Sequence, residues 1–159
     1  MTESQQRKHQ LTGLPDAVIH VLRALEEDRR RIASDHGLSS SELRSLFRIA
    51  ESGSLTPRQL ANDLSLTNGA ITGISTRLVD AGLLHRVPHP DDRRSLCLEL
   101  TEEAHRAMAR IHADFAAMMG AATVDLTDEE LDIATRALRQ VTDAIRARQT
   151  PSSTTDARP

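Results

Sequence analysis

The sequence predicts a mainly α-helical protein of about six helices, interrupted once by a β-hairpin, and three observations predict it. One helix-start signature recurs along the chain: an apolar residue, then Ser or Thr, then often Glu or Gln three residues on. Behind each start, apolar residues step by three and four. Only residues 83–101 break that rhythm. There Leu96, Leu98 and Leu100 alternate with Ser95, Cys97 and Glu99, as in a strand with one apolar face.

With 159 residues and 38% hydrophobic content the chain can bury a real core, which excludes full disorder. The length fits one domain, or one lobe plus an oligomerisation element. One cysteine excludes an internal disulfide and a Cys-rich zinc site. Two Phe and no Tyr or Trp argue against a platform that stacks unpaired bases. No apolar run approaches the ~20 residues of a membrane-spanning helix. The start, MTESQQRKHQ, lacks the apolar stretch of a secretory signal, so a cytoplasmic protein without membrane contact is expected.

Residues 1–13 are polar and aperiodic, residues 148–159 form a Ser/Thr/Pro tail, and both ends are expected to be disordered. The first helix follows Pro15, with the stripe Leu14, Val18, Val21/Leu22, Leu25 and Ile32. The second opens at Leu38-Ser39…Glu42-Leu43, carries Leu43, Leu46, Phe47 and Ala50, and ends at Gly53. The third opens at Leu55-Thr56…Gln59-Leu60, and the fourth at Leu66-Thr67…Ile71 without the acidic partner. Leu83 to Val87 is the expected partner of the Leu96–Leu100 strand, with His89-Pro90-Asp91-Asp92 as the turn. Leu100-Thr101 with Glu102 and Glu103 opens the fifth helix, whose stripe is Ala104, Met108, Ile111, Phe115, Met118 and Ala122. Leu126-Thr127…Glu130-Leu131 opens the sixth, with Leu131, Ala134, Leu138, Val141 and Ile145. The last two stripes have the form of helix-pairing seams. Helices followed by a hairpin make the winged helix-turn-helix arrangement. The expected organisation is a winged helix-turn-helix lobe over 38–100 and a helical dimerisation region over 14–37 and 101–147.

A net charge of -3 gives no hint of nucleic acid when taken whole. By segment, residues 56–95 carry 5 basic and 4 acidic groups, whereas residues 96–159 carry 7 and 11. The acid is therefore concentrated in the C-terminal third. Residues 57–81 fit a helix-turn-helix sterically: Ala61 is small where two helices cross, and Ser65 sits where such turns often use Gly. Leu66, Ile71, Ile74 and Leu78 form the wedge, which leaves Gly69, Thr72, Gly73 and Thr76 on the opposite face, with Asn68 near the start. A small, polar face can approach the major groove, where Asn and Thr read base edges and thymine methyls. Gly69 and Gly73 each cost ~1 kcal/mol relative to Ala. Close approach to a duplex is one reason for them, and a tight helix crossing is the other. Asp91-Asp92-Arg93-Arg94 lies at the hairpin tip, where an Arg can enter a narrow minor groove. Asp92 would orient one guanidinium by a charge-assisted bond. In isolation such a run reads as a solvated charged turn; behind a recognition-like helix it reads as a wing.

With these residues the sequence resembles the MarR (multiple-antibiotic-resistance regulator) family over Leu55–Thr101. The wing signature Asp-x-Arg, five residues, Leu-Thr is met by Asp92, Arg94, Leu100 and Thr101, and Gly82-Leu83-Leu84 matches the end of the recognition helix. Ala104 stands where the family commonly has Gly. The resemblance implies a homodimeric transcription factor that binds pseudo-palindromic double-stranded DNA. It places recognition positions on Asn68, Thr72 and Thr76, a wing contact on Arg94, and a backbone or wing-supporting contact on Arg77. Gly73 departs from the larger polar or basic side chain of many relatives, so shape and phosphate contacts gain weight. The resemblance also implies a small-molecule effector of unknown identity, most often with a repressor as the regulated protein.

Other signals carry less. Cys97, opposite the Leu face, has nothing nearby in sequence to lower its pKa for redox sensing. His105 and His112 share a helix face, but zinc needs further ligands, for which His20 or Glu102/Glu103 would have to come through the fold. No phosphate-binding loop, nucleophile elbow or helical metal pair is present in the sequence, so neither an enzyme nor a bound cofactor or metal is expected. The competing readings are a winged-helix interaction module without DNA binding, and a metal- or redox-responsive regulator.

Overall fold

The computed structural model describes residues 11–92 and 94–149. The order is α1 (Leu14–Asp35), α2 (Ser40–Ser52), β1 (Ser54–Leu55), α3 (Pro57–Leu64), α4 (Asn68–Asp80), β2 (Leu84–Pro88), β3 (Leu96–Leu100), α5 (Glu102–Ala122) and α6 (Asp128–Gln149). The mainly α, winged helix-turn-helix class is therefore observed. Arg93 and the expected disordered stretches 1–10 and 150–159 lie outside the described residues.

Each of the five Ser/Thr starts caps its helix. Ser39 with Glu42 and Thr56 with Gln59 form reciprocal capping boxes. Thr127 and Glu130 exchange the same pair of bonds, the Thr127 N–H donating to Glu130 Oε2 at 2.8 Å and the Glu130 N–H to Thr127 Oγ1 at 3.3 Å. Thr67 accepts from the Ala70 N–H and Thr101 from the Ala104 N–H, both at 3.2 Å. Each cap satisfies an N–H that the first helical turn leaves without a partner, worth ~1 kcal/mol.

Two compact units follow, one ending at Ile111 and the other starting at His112. The first holds the core. Leu43, Leu46 and Ile49 of α2, Leu60 of α3, Ile71 and Leu78 of α4, Leu84 of β2 and Leu98 of β3 are all almost fully buried. Ala33 of α1 and Ala104, Met108 and Ile111 of α5 belong to the same cluster. Each large aliphatic side chain removed from water contributes about 1.5–3 kcal/mol. In the second unit, none of residues 128–148 of α6 is buried, and Leu138 and Ile145 stand about half exposed. The seam on α5 is buried as far as Ile111, whereas Phe115 and Met118 are exposed.

The sheet is antiparallel in the order β1-β3-β2. β1, two residues long, was not legible beforehand; Ser54 pairs with Glu99 and Leu55 with Leu98. The partner strand begins one residue later than the expected Leu83. Gly82, at φ 70°, ends the helical turn there, and the Leu83 N–H still bonds the Leu78 carbonyl at 2.9 Å. The simple alternation of β3 also needs correcting. Cys97 is buried and Leu96 is 49% exposed. β3 is the central strand, and β1 flanks it only at Leu98 and Glu99, so Leu96 lies past the end of β1, toward the wing tip.

Candidate nucleic-acid interface

The recognition helix is set by a tight turn and a wedge. Ser65 closes α3 in the left-handed region (φ 54°, ψ 44°), a conformation more usual for Gly. Thr67, extended and capping, then redirects the chain into α4. Ile71, Ile74 and Leu78 are buried, and Leu66 packs partly against the same core. That leaves Asn68, Gly69, Thr72, Thr76 and Arg77 exposed, with Gly73 intermediate.

The two threonines are chemically distinct. Thr72 donates its hydroxyl proton to the Asn68 carbonyl at 2.9 Å. What it can offer outward is lone pairs and a methyl group, suited to an amino group of a base or a thymine methyl. Thr76 instead accepts from Arg86 Nη2 of β2 at 3.2 Å, so its own proton is left to donate. Arg86 thus ties the wing to the recognition helix.

The two glycines have no internal reason to be glycine. Neither has a positive φ. A Cβ at Gly69 would meet nothing within 4 Å, and one at Gly73 would meet only Arg77 Nη1 at 3.5 Å, an ordinary contact. A tight helix crossing is therefore not what they serve.

Arg77 donates through Nε to Glu42 Oε1 at 2.5 Å, joining α4 to α2. The Glu42 side chain is 9% exposed and that of Arg77 61%. Burial pushes the Glu42 carboxyl up, but bonds from Ser39 and Arg77 outweigh it and hold it below the ordinary glutamate range.

At the wing tip the Asp92 carboxylate bonds the backbone N–H of Arg94 and not its guanidinium, while Arg93, the other arginine it was expected to orient, lies outside the described residues. Asp92 Oδ2 accepts the Ser95 hydroxyl at 2.6 Å and its Oδ1 the Arg94 backbone N–H at 3.0 Å. These two bonds, the Ser95 one foremost, lower its pKa. A short side chain two residues ahead of a backbone N–H closes an Asx turn more readily than it reaches an arginine head. The turn is finished by the Ser95 N–H on the Asp92 carbonyl, the His89 N–H on the Ser95 carbonyl, and the Asp91 N–H on His89 Nδ1.

An open cleft of about 440 Å³ lies between the starts of α3 and α4 and the wing. It brings together three sequence-identified residues, Asn68, Thr72 and Arg94; Gly69, Gly73, Thr76, Arg77 and Asp92 lie outside its lining. Thr56, Pro57, Arg58, Ser95 and Leu96 complete it. Arg58 escaped sequence reasoning, although its place in the first turn of a capped helix could have marked it. No carboxylate among the described residues lines the cleft. It offers two guanidinium groups, an amide, two threonine side chains and a serine, a set suited to a polyanion whose edges carry donors and acceptors. Among the described residues no three His, Cys, Asp or Glu side chains gather as a metal site, and no helix is long and apolar enough to cross a membrane.

Comparison with known proteins gives the family and the fold. The MarR family model matches residues 38–96. The HTH-type transcriptional regulator FarR of Neisseria gonorrhoeae is 31% identical over 106 residues, which cover 67% of this chain and 71% of that protein. The HTH-type transcriptional regulator MhqR of Bacillus subtilis is 27% identical, over 75% of this chain and 82% of its own. Among solved structures, a MarR family protein from Bacillus stearothermophilus superposes with a TM-score of 0.74 at 20% identity, covering 84% of this chain and 93% of that one. NadR in complex with 4-hydroxyphenylacetate superposes at 0.63 with 25% identity, covering 86% and 97%.

Proposed function

This chain belongs to the MarR family of DNA-binding transcription regulators, and on that premise we propose that it is a homodimeric, effector-responsive repressor whose α4 reads the major groove of a pseudo-palindromic operator. The cleft that joins Asn68 and Thr72 to Arg94 carries the reading. In it, α4 takes the major groove and the wing arginines, Arg94 with Arg93, flank it at the minor groove. Asn68, Thr72 and Thr76 supply base contacts. Gly69 and Gly73 let the helix backbone approach, Arg58 and Arg77 hold phosphates, and Asp92 shapes the wing.

A second copy is the natural cover for the apolar side chains left bare on one chain. On α1, Leu14, Val21 and Leu22 are more than half exposed, and on α6 Leu138 and Ile145 are comparable. Residues 14–37 and 101–147 would then form the dimerisation region and 38–100 the DNA-binding lobe. Two recognition helices in successive major grooves require half-sites about one helical turn apart. NadR was crystallised with an aromatic carboxylate, which supports a small organic effector here, binding one arrangement of the two lobes better than another. Footprinting over the promoter region around the gene tests the reading. Two protected half-sites one turn apart are expected; no protection of any duplex at low salt would refute it.

A further inference from the structure

Arg77 is held in an unusual division of labour. Its Nε is fixed by Glu42 at 2.5 Å, while Nη1 and Nη2 make no hydrogen bond to any described residue. The same carboxylate accepts the Ser39 N–H through Oε2 at 2.8 Å, so both oxygens have donors and the group cannot turn away from Arg77 without breaking the α2 capping box. Nη1 reaches back one helical turn, to 3.5 Å from where a Cβ of residue 73 would stand. The guanidinium therefore lies along α4 beside Gly73, on the recognition face, with its donor edge in solvent. An arginine gripped at Nε and open at Nη is pre-oriented to bond an anion with two parallel N–H groups.

We propose that Glu42, a buried residue of α2, is a positioning residue for DNA binding: it aims the Nη edge of Arg77 at a duplex phosphate beside α4. The inference rests on the reading that α4 enters the major groove. Glu42 itself touches no DNA; it acts through Arg77, and it couples the start of α2 to the recognition helix 35 residues away.

The test is a salt titration of duplex binding by the full-length chain, using fluorescence anisotropy with a mixed-sequence duplex of about 30 base pairs. Arg77→Ala is expected to weaken binding on the order of tenfold, the loss of one charge-assisted bond. It should also flatten the slope of log K against log salt by about 0.9 per protomer, one phosphate contact each. Glu42→Gln should move affinity and slope the same way. It keeps the capping chemistry, since the α3 box already uses Gln59, but leaves only one oxygen for two donors. The double variant should bind no worse than Arg77→Ala alone. If both single variants melt earlier yet keep the wild-type slope, the pair is only a structural tie and the proposal is overturned. Should Glu42→Gln unfold, Arg77→Lys carries the test: it keeps the charge, and with it the slope, but lacks the fork of two parallel N–H groups, so affinity should fall several-fold; wild-type affinity would overturn the proposal. A wild-type protein that binds no duplex would instead refute the DNA-binding reading itself.

Discussion

Gly73→Ala separates folding from function by moving them in opposite directions. Gly73 sits in the interior of α4, where Gly is less favourable than Ala by about 1 kcal/mol, chiefly through backbone entropy. The added methyl would meet only Arg77 Nη1, at 3.5 Å, so no packing penalty offsets that gain. For a chain of this size 1 kcal/mol corresponds to about 2–4 °C in Tm, and thermal denaturation followed by circular dichroism should show a rise of that order. Gly69→Ala, at the second position of the helix, should add a smaller increment, its Cβ meeting nothing within 4 Å. If the glycines exist so that the α4 backbone can lie close to base edges, the stabilised variants should lose specific binding tenfold or more, about 1.4 kcal/mol. Non-specific binding, which depends on phosphates, should change far less. A gel shift with the footprinted operator beside an unrelated duplex reads both quantities. A Gly73→Ala protein that melts higher and binds the operator as tightly as wild type would refute the clearance argument. A variant that melts lower would refute the stability argument.

Three other perturbations test the remaining geometry. Asp92→Ala removes the acceptor for the Ser95 hydroxyl and the Arg94 N–H. Operator affinity should fall several-fold with Tm nearly unchanged, and equal affinity would remove the wing turn from the interface. Ser65→Gly relieves a left-handed non-glycine residue and should leave the fold as stable or stabler, whereas Ser65→Val should cost more than about 1 kcal/mol in urea denaturation. Glu42, whose folded pKa is depressed, contributes stability that is present above the unfolded value of 4.5 and is lost as pH falls through the folded value. Acid denaturation below pH 4.5 should therefore be shallower in Glu42→Gln; an identical acid limb would show that Glu42 contributes nothing to it.

The sequence was most informative where local chemistry decides the structure. A Ser or Thr set between apolar residues announces a cap without help from the rest of the chain, and Ser39, Thr56, Thr67, Thr101 and Thr127 all behave so, the first, second and fifth with a Glu or Gln three residues on. The wedge of Ile71, Ile74 and Leu78 was legible for the same reason, since helical spacing alone sets which side is buried. What escaped was set by distant partners. β1 is two residues long and exists because β3 lies beside it, and Cys97 is buried despite lying opposite the Leu face. Glu42 read as a capping residue, which it is, but its second bond runs to Arg77, far along the chain. Asp92 and Arg94 carry the same lesson at short range. Their side chains could meet as an ion pair, but a backbone N–H two residues away wins the carboxylate.

Net charge misleads about this protein because arginine partners, not arginine counts, decide what reaches a polyanion. Arg48 is occupied by Asp63 at 2.7 Å and Glu51 at 2.9 Å, bonds that also remove an acid from the edge of α3. Arg77 is tied at one end, and Arg86 is engaged with Thr76. Arg58 and Arg94, by contrast, line the cleft with no carboxylate partner among the described residues. A cleft with two such cations and no carboxylate among its described lining residues attracts phosphate even on a chain of net charge -3, because at physiological salt the charges within about 8–10 Å dominate. So few open cations per lobe also mean few counterions released per lobe. On the proposed reading, tight and specific binding would come from two lobes acting on one duplex, and the exposed apolar side chains of α1 and α6 would then serve DNA recognition as much as α4 does.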